Sequence, residues 1–260
     1  IEAKKNQGIS LKPNNKEVKF SNLGHLFAFD NGANVQIYDF LNMTVFTGLP
    51  NQPQHIRNFG TSTPRINCLN WTALDKHLLI AGQDHVIDWK LKDEHKLSDK
   101  MNDNYLSIIY SEQLQNYITT GEKGSINLIE GKFPEATEHV KASFDMPMKE
   151  LVEMKYPDVL FCTTTLMKSQ KNSGNQQINP NELTNKSFTT SLRYFPEFKT
   201  TFEDSVVDLP GHFGDTRRLR MNYECTKIFT CGDDGCINIY SVTIPQDINS
   251  TYIEESGNVF

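Results

Sequence analysis

The stretch RRLRMNYECTKIFTCGDDGCINIYSV, residues 217–242, decides the fold. An alternating apolar run comes first, then a polar turn. A second apolar run ends in the small residues Cys231 and Gly232. A turn carrying Asp and Gly follows, and a third run ends on the aromatic Tyr240. Side chains that alternate with period two mark strands with one face buried. Asn, Asp and Gly tolerate positive φ and close hairpins. Residues 65–91, RINCLNWTALDKHLLIAGQDHVIDWKL, repeat the same outline and end near Trp89. Two copies of a three-strand unit in one chain point to a repeat architecture.

Three weaker copies share the outline: residues 17–40, residues 104–130, and residues 150–165 resuming at 187–198. Equivalent strand ends fall near Tyr38, Trp89, Ile129, Tyr194 and Tyr240, at spacings of 51, 40, 65 and 46 residues. A four-stranded propeller blade takes about 40–45 residues, so the longest spacing requires an insertion. Residues 167–186, MKSQKNSGNQQINPNELTNK, supply it. So polar a segment cannot offset its ordering entropy by burial, and it reads as a long mobile loop between two strands. No segment keeps apolar residues at helical spacing for three turns. The expected fold is therefore all-β: a partial WD40-type β-propeller of about five blades, its ring completed by sequence outside these residues. Residues 1–16 read as an entry segment, 17–244 as the partial propeller with its inserted loop at 167–186, and 245–260 as an exit linker.

Composition narrows the function. The 260 residues are 37% hydrophobic, enough for a real core, and carry a formal charge of -6, which argues against bulk attraction to nucleic acid or anionic lipid. No apolar run of about 18 residues is present to span a membrane as a helix. The five cysteines have no zinc-ligand spacing and read as reduced core thiols, with Cys231 and Cys236 placed to face each other across a turn. No metalloprotease, P-loop or nucleophile-elbow motif occurs, so neither a catalytic residue nor a cofactor is assigned. Gly211-His212 stands 28 residues before Tyr240, which sets His212 to donate to Asp234 in the last turn as a structural blade pair. The other repeats have lost this pairing. Lys123 occupies the turn position of Asp234, Asn31 or Asn34 stands in the first repeat, Asp84 lacks a Gly-His partner, and Trp89 is followed by Lys90.

One family shows this order of segments. Phe20, Ser21, Asn22, Gly24, His25, Leu26, Phe27 and Ala28 match a Phe-Ser-Asn-x-Gly-His-Leu-Phe-Ala string. Ile37-Tyr38, Leu69-Asn70-Trp71, Asp88-Trp89, Leu192-Arg193-Tyr194-Phe195-Pro196 and Asp234-Gly235-Cys236 follow in order. Over residues 16–242 the chain resembles the axonemal WD-repeat proteins, departing from them at the 167–186 insertion and at Lys123. The resemblance implies a non-catalytic scaffold of the ciliary or flagellar axoneme, with propellers followed by long coiled coils. Its implied partners are other axonemal proteins, namely inner dynein arm or regulatory-complex subunits and the doublet microtubule, within a large complex. Candidate partner contacts are the basic trio Arg217, Arg218 and Arg220, the loop residues His55, Arg57 and Phe59, and the insertion. A generic WD40 adaptor of ubiquitin ligation or trafficking is the competing expectation, because fold does not fix function.

Overall fold

The computed structural model describes residues 17–30, 35–39, 44–45, 66–83, 85–90, 96–97, 103–131, 136–144, 146–154, 159–164, 190–195, 207–243 and 252–259. They form five four-stranded antiparallel sheets, each a simple meander in chain order. The first holds β1 (Val18–Phe20), β2 (Leu26–Asp30), β3 (Val35–Asp39) and β4 (Thr44–Val45). The second holds β5 (Ile66–Trp71), β6 (His77–Gly82), β7 (Val86–Lys90) and β8 (Lys96–Leu97). The third holds β9 (Tyr105–Ser111), β10 (Asn116–Gly121), β11 (Ser125–Glu130) and β12 (Thr137–Ser143). The fourth holds β13 (Met148–Glu153), β14 (Leu160–Thr164), β15 (Ser191–Phe195) and β16 (Val207–Pro210). The fifth holds β17 (Thr216–Met221), β18 (Lys227–Gly232), β19 (Ile237–Thr243) and β20 (Tyr252–Val259).

The sheets stack face on face in chain order, and each seam is an apolar core. Leu26, Ala28, Val35 and Ile37 meet Trp71, Leu78, Ile80 and Trp89 between the first and second sheets. Leu79, Ala81 and Val86 meet Tyr105, Ile108 and Ile129 at the next seam. Ile118, Ile126 and Leu128 meet Leu151, Leu160, Cys162 and Phe195 at the third, and Phe161 and Leu192 meet Leu219, Ile228 and Tyr240 at the fourth. Stacking on both sides explains why β14 is buried along its whole length. Strict alternation of buried and less buried positions, expected from the sequence, survives best in β19.

Register makes the repeats commensurate. Tyr38 pairs with Phe27, Trp89 with Leu78, Ile129 with Tyr117 and Tyr240 with Ile228, each at the same place in its sheet. The fourth sheet differs from expectation by one residue. Thr72 N–H donates to the His77 carbonyl just ahead of Leu78, and Met154 N–H donates to the Val159 carbonyl just ahead of Leu160. Leu160 pairs with Phe195, so Phe195 and not Tyr194 is the equivalent of Trp89. With both faces of the sheet buried, two adjacent aromatics gave no parity signal.

Residues 252–259 correct a second expectation. They are not linker but the outer strand β20, paired with β19 from Ile237↔Val259 to Thr243↔Tyr252. An outermost strand has a single neighbour and needs no alternating apolar pattern, so its polar sequence hid it. The described residues contain no helix, so the coiled coil implied by resemblance forms no part of them. Among them, accordingly, no helix is long and apolar enough to cross a membrane. The entry segment 1–16 and the insertion 167–186 lie outside the described residues, the latter in sequence between β14 and β15.

Candidate interaction site

His212 lies just before β17, and Asp234 sits in the β18–β19 turn opened by Gly235 at φ +75°. His212 Nδ1 is 3.0 Å and 3.1 Å from the two Asp234 carboxylate oxygens. A carboxylate only accepts, so Nδ1 carries the hydrogen. Nε2 meets Thr230 Oγ1 at 2.9 Å, and the backbone N–H groups of Phe213 and Cys236 also donate to Asp234. Burial pushes the Asp234 carboxyl upward, but the donors from Cys236, Phe213 and His212 outweigh it and hold the group below its ordinary value. Gly232 is required here, because a Cβ would stand 2.5 Å from the imidazole. An Asp–His–Thr chain has the outline of a hydrolase triad. With His212 and Thr230 both at most 2% exposed, no substrate reaches the hydroxyl, and the chain acts as a tie between the strand entry and the hairpin.

Related ties were not legible in the sequence. In the third sheet Asp103 takes the place of the imidazole: Ser125 Oγ donates to it at 2.9 Å, and a Cβ on Gly121 would overlap its carboxylate. Gly121 through Ser125 aligns with Gly232 through Cys236, which was the available signal. Between the first two sheets, buried Asp75 accepts the N–H groups of Asn22 at 2.6 Å and Leu23 at 2.7 Å. Between the second and third sheets, Asp88 accepts from Tyr117 Oη and stands 2.6 Å from His77 Nδ1. Burial and the Asp88 hydrogen bond push the Tyr117 phenol far above its ordinary value.

The basic trio divides. Arg217 makes a two-pronged pair with Asp233, at 2.5 Å and 2.7 Å, on the surface. Arg218 and Arg220 instead converge on Glu150 of β13, at 3.4 Å and 2.8 Å, and Arg218 also reaches Glu17, ahead of β1, at 3.2 Å. All three guanidinium groups are thus paired, and two belong to a cluster at the inner strands. Leu219 and Met221 of β17 turn toward Ile228 and Tyr240, while Arg218 and Arg220 turn toward these acids. His55, Arg57 and Phe59 lie outside the described residues. Cys231 pairs in register with Ile237, so Cys236, one residue earlier, points to the opposite face and the two thiols do not face each other. All five cysteines are free, and no group of three ligating side chains is placed to hold a metal among the described residues.

Five stacked four-stranded meanders, with a His–Asp tie fixing the last hairpin, define a WD40-type β-propeller. The structure superposes on the Cps50 (Swd1) β-propeller domain of Myceliophteria thermophila with a TM-score of 0.68 and 16% identity, over 94% of this chain and 71% of that one. No family model matches the chain. In sequence it is 24% identical over 261 residues to cilia- and flagella-associated protein 57 A of Tetrahymena thermophila, a match covering 89% of this chain and 18% of that protein. The chain thus spans less than a fifth of the curated relative it matches.

Proposed function

We propose that this chain is a WD-repeat platform of the ciliary or flagellar axoneme. In this reading it holds other axonemal proteins and helps position or regulate inner dynein arms on doublet microtubules. The observation that carries the reading is similarity along nearly the whole propeller to a cilia- and flagella-associated protein. The fold supplies the physics. Sheets packed on both faces are stiff, so the connecting loops are presented without a large ordering cost when a partner binds. Of the basic trio, Arg217 is the member whose side chain, 53% exposed, can exchange Asp233 for a partner carboxylate. His55, Arg57, Phe59 and the 167–186 insertion are proposed contacts beside it.

The test is to tag the protein at its own locus and extract cilia with detergent. A signal retained on demembranated axonemes, and lost inner-arm density by electron tomography when the gene is removed, is the expected outcome. A signal confined to the cell body, associated with ubiquitin-ligase or trafficking subunits, overturns the reading in favour of an adaptor.

A further inference from the structure

The first strand of each sheet packs on the first strand of the next: β1 on β5, β5 on β9, β9 on β13 and β13 on β17. In the last four of these inner strands the register slips at one equivalent place, near the start of the strand. Asn67 of β5, Leu106 of β9 and Arg217 of β17 are the extra residues, and Lys149 and Glu150 of β13 together oppose Thr163. A bulge bends the strand and re-aims the side chain it carries, often beside a binding site. Asn67 is used within the fold, its amide donating at 2.7 Å to Asn104 Oδ1 and to the Tyr105 carbonyl. The bulges of β13 and β17 carry cations instead. Glu150 is taken by Arg218, Arg220 and the Leu219 N–H. Lys149, half-buried, forms no hydrogen bond or ion pair with any described residue. Burial and the Arg217 guanidinium push its ammonium below the ordinary lysine value, although Asp215 and Glu150 pull the other way.

We infer that Lys149 and Arg217, presented by equivalent bulges of neighbouring inner strands, form a carboxylate clamp for an acidic segment of a partner protein. A half-buried cation with a second cation beside it is costly until an anion is supplied. Arg217 can turn to that anion, because both side chains of its pair with Asp233 are about half exposed, 53% and 44%, and such pairs contribute little. A carboxylate between the two takes a two-pronged contact from the guanidinium and a point contact from the ammonium. The formal charge of -6 opposes long polyanions such as nucleic acid, so the ligand that fits is a short acidic stretch of polypeptide. The fourth and fifth sheets share an apolar seam, so packing within the described fold positions both cations. The inference rests on the reading of Arg217 as a partner contact and not on placement at the axoneme.

The experiment titrates the whole 260-residue chain into a fluorescein-labelled hexaglutamate peptide and follows fluorescence anisotropy in about 0.1 M salt, where the screening length is about 10 Å. Saturable binding is expected, with a hexaglutamine peptide left unbound. Lys149→Met and Arg217→Met are each expected to weaken it about tenfold, the loss of one hydrogen bond to a charged group. The double variant should lose less than the product of the two, because both side chains hold one carboxylate. Lys76→Met, which removes an exposed charge from the β5–β6 turn, should bind as wild type. Lys149→Met should also leave the urea midpoint unchanged or raised, since methionine fills the space without the unpaired charge. A wild-type chain that does not bind hexaglutamate overturns the inference, whether or not the variants fold. Folded Lys149→Met or Arg217→Met with full binding, or equal weakening by Lys76→Met, overturns it as well. So do losses that multiply in full, a lowered midpoint for Lys149→Met, or single-stranded DNA bound more tightly than the peptide through the same residues. Any of these outcomes, with the protein still retained on demembranated axonemes, removes the clamp and leaves the axonemal reading standing.

Discussion

At the residue scale, buried polar groups here are safe only where fully partnered. His212 bonds Asp234 on one side and Thr230 on the other, and Asp234 collects two further backbone donors. His212→Ala leaves these groups to find new partners in a buried gap and is expected to cost about 3 kcal/mol in urea unfolding. The Asp234 carboxyl is held below its ordinary value. Its contribution is present above the unfolded carboxyl value and disappears as pH falls through the folded one. Asp234→Asn should therefore flatten the acid limb of a stability–pH profile; an unchanged limb would show that the tie carries no ionic character. Thiol chemistry follows burial in the same way. Desolvation pushes Cys162 up to about 12 and Cys68 up to about 11. Maleimide mapping of the native protein at neutral pH should modify Cys225, Cys231 and Cys236 well before either of them, since the thiolate is the reacting form.

At the element scale, two hairpin glycines separate conformational strain from steric exclusion. Gly235 has φ +75° and open space, with no atom within 4 Å, where a Cβ would sit; at Gly124, φ +82°, a Cβ would stand 2.0 Å from the Phe144 carbonyl oxygen. Gly235→Ala is expected to cost about 1 kcal/mol from the left-handed backbone alone. Gly124→Ala must also displace the strand entering β13 and should cost several-fold more by urea titration. Equal costs at the two turns would mean that the Phe144 segment yields freely. The same scale explains the one-residue shift in the fourth sheet. Tyr194 and Phe195 are both apolar enough for either face, and only the pairing of Leu160 with Phe195 tells which faces the third sheet.

At the scale of the whole molecule, stability resides in the seams between sheets. Trp71 and Trp89, the two tryptophans of the chain, both lie in the seam of the first and second sheets. Trp89 is 1% exposed, and Trp89→Ala is expected to cost about 3–5 kcal/mol by urea denaturation. A loss below about 1 kcal/mol would mean that this seam is not a packed core. Arg217→Glu acts at the surface and should leave stability within about 1 kcal/mol of wild type, because exposed ion pairs contribute little. That variant is consequently the clean probe of partner binding, whereas reversing Arg218 would disturb the inner cluster at the same time.

Local chemistry determined the strands, their turns and their recurrence, because period-two patterning and Asp-Gly or Gly-x-x-Gly turns act over a few residues. That was enough for five repeats, for the all-β propeller and for placing His212 near Asp234. Tertiary structure alone decided which acids Arg218 and Arg220 meet, since Glu17 and Glu150 are distant in sequence and come together only where inner strands converge. It also decided the parity of Phe195, the role of Asp103 in place of a histidine, and the pairing of β20. In each case the deciding partner comes from another strand or sheet, and a sequence pattern records a side chain's own strand but not what packs against it.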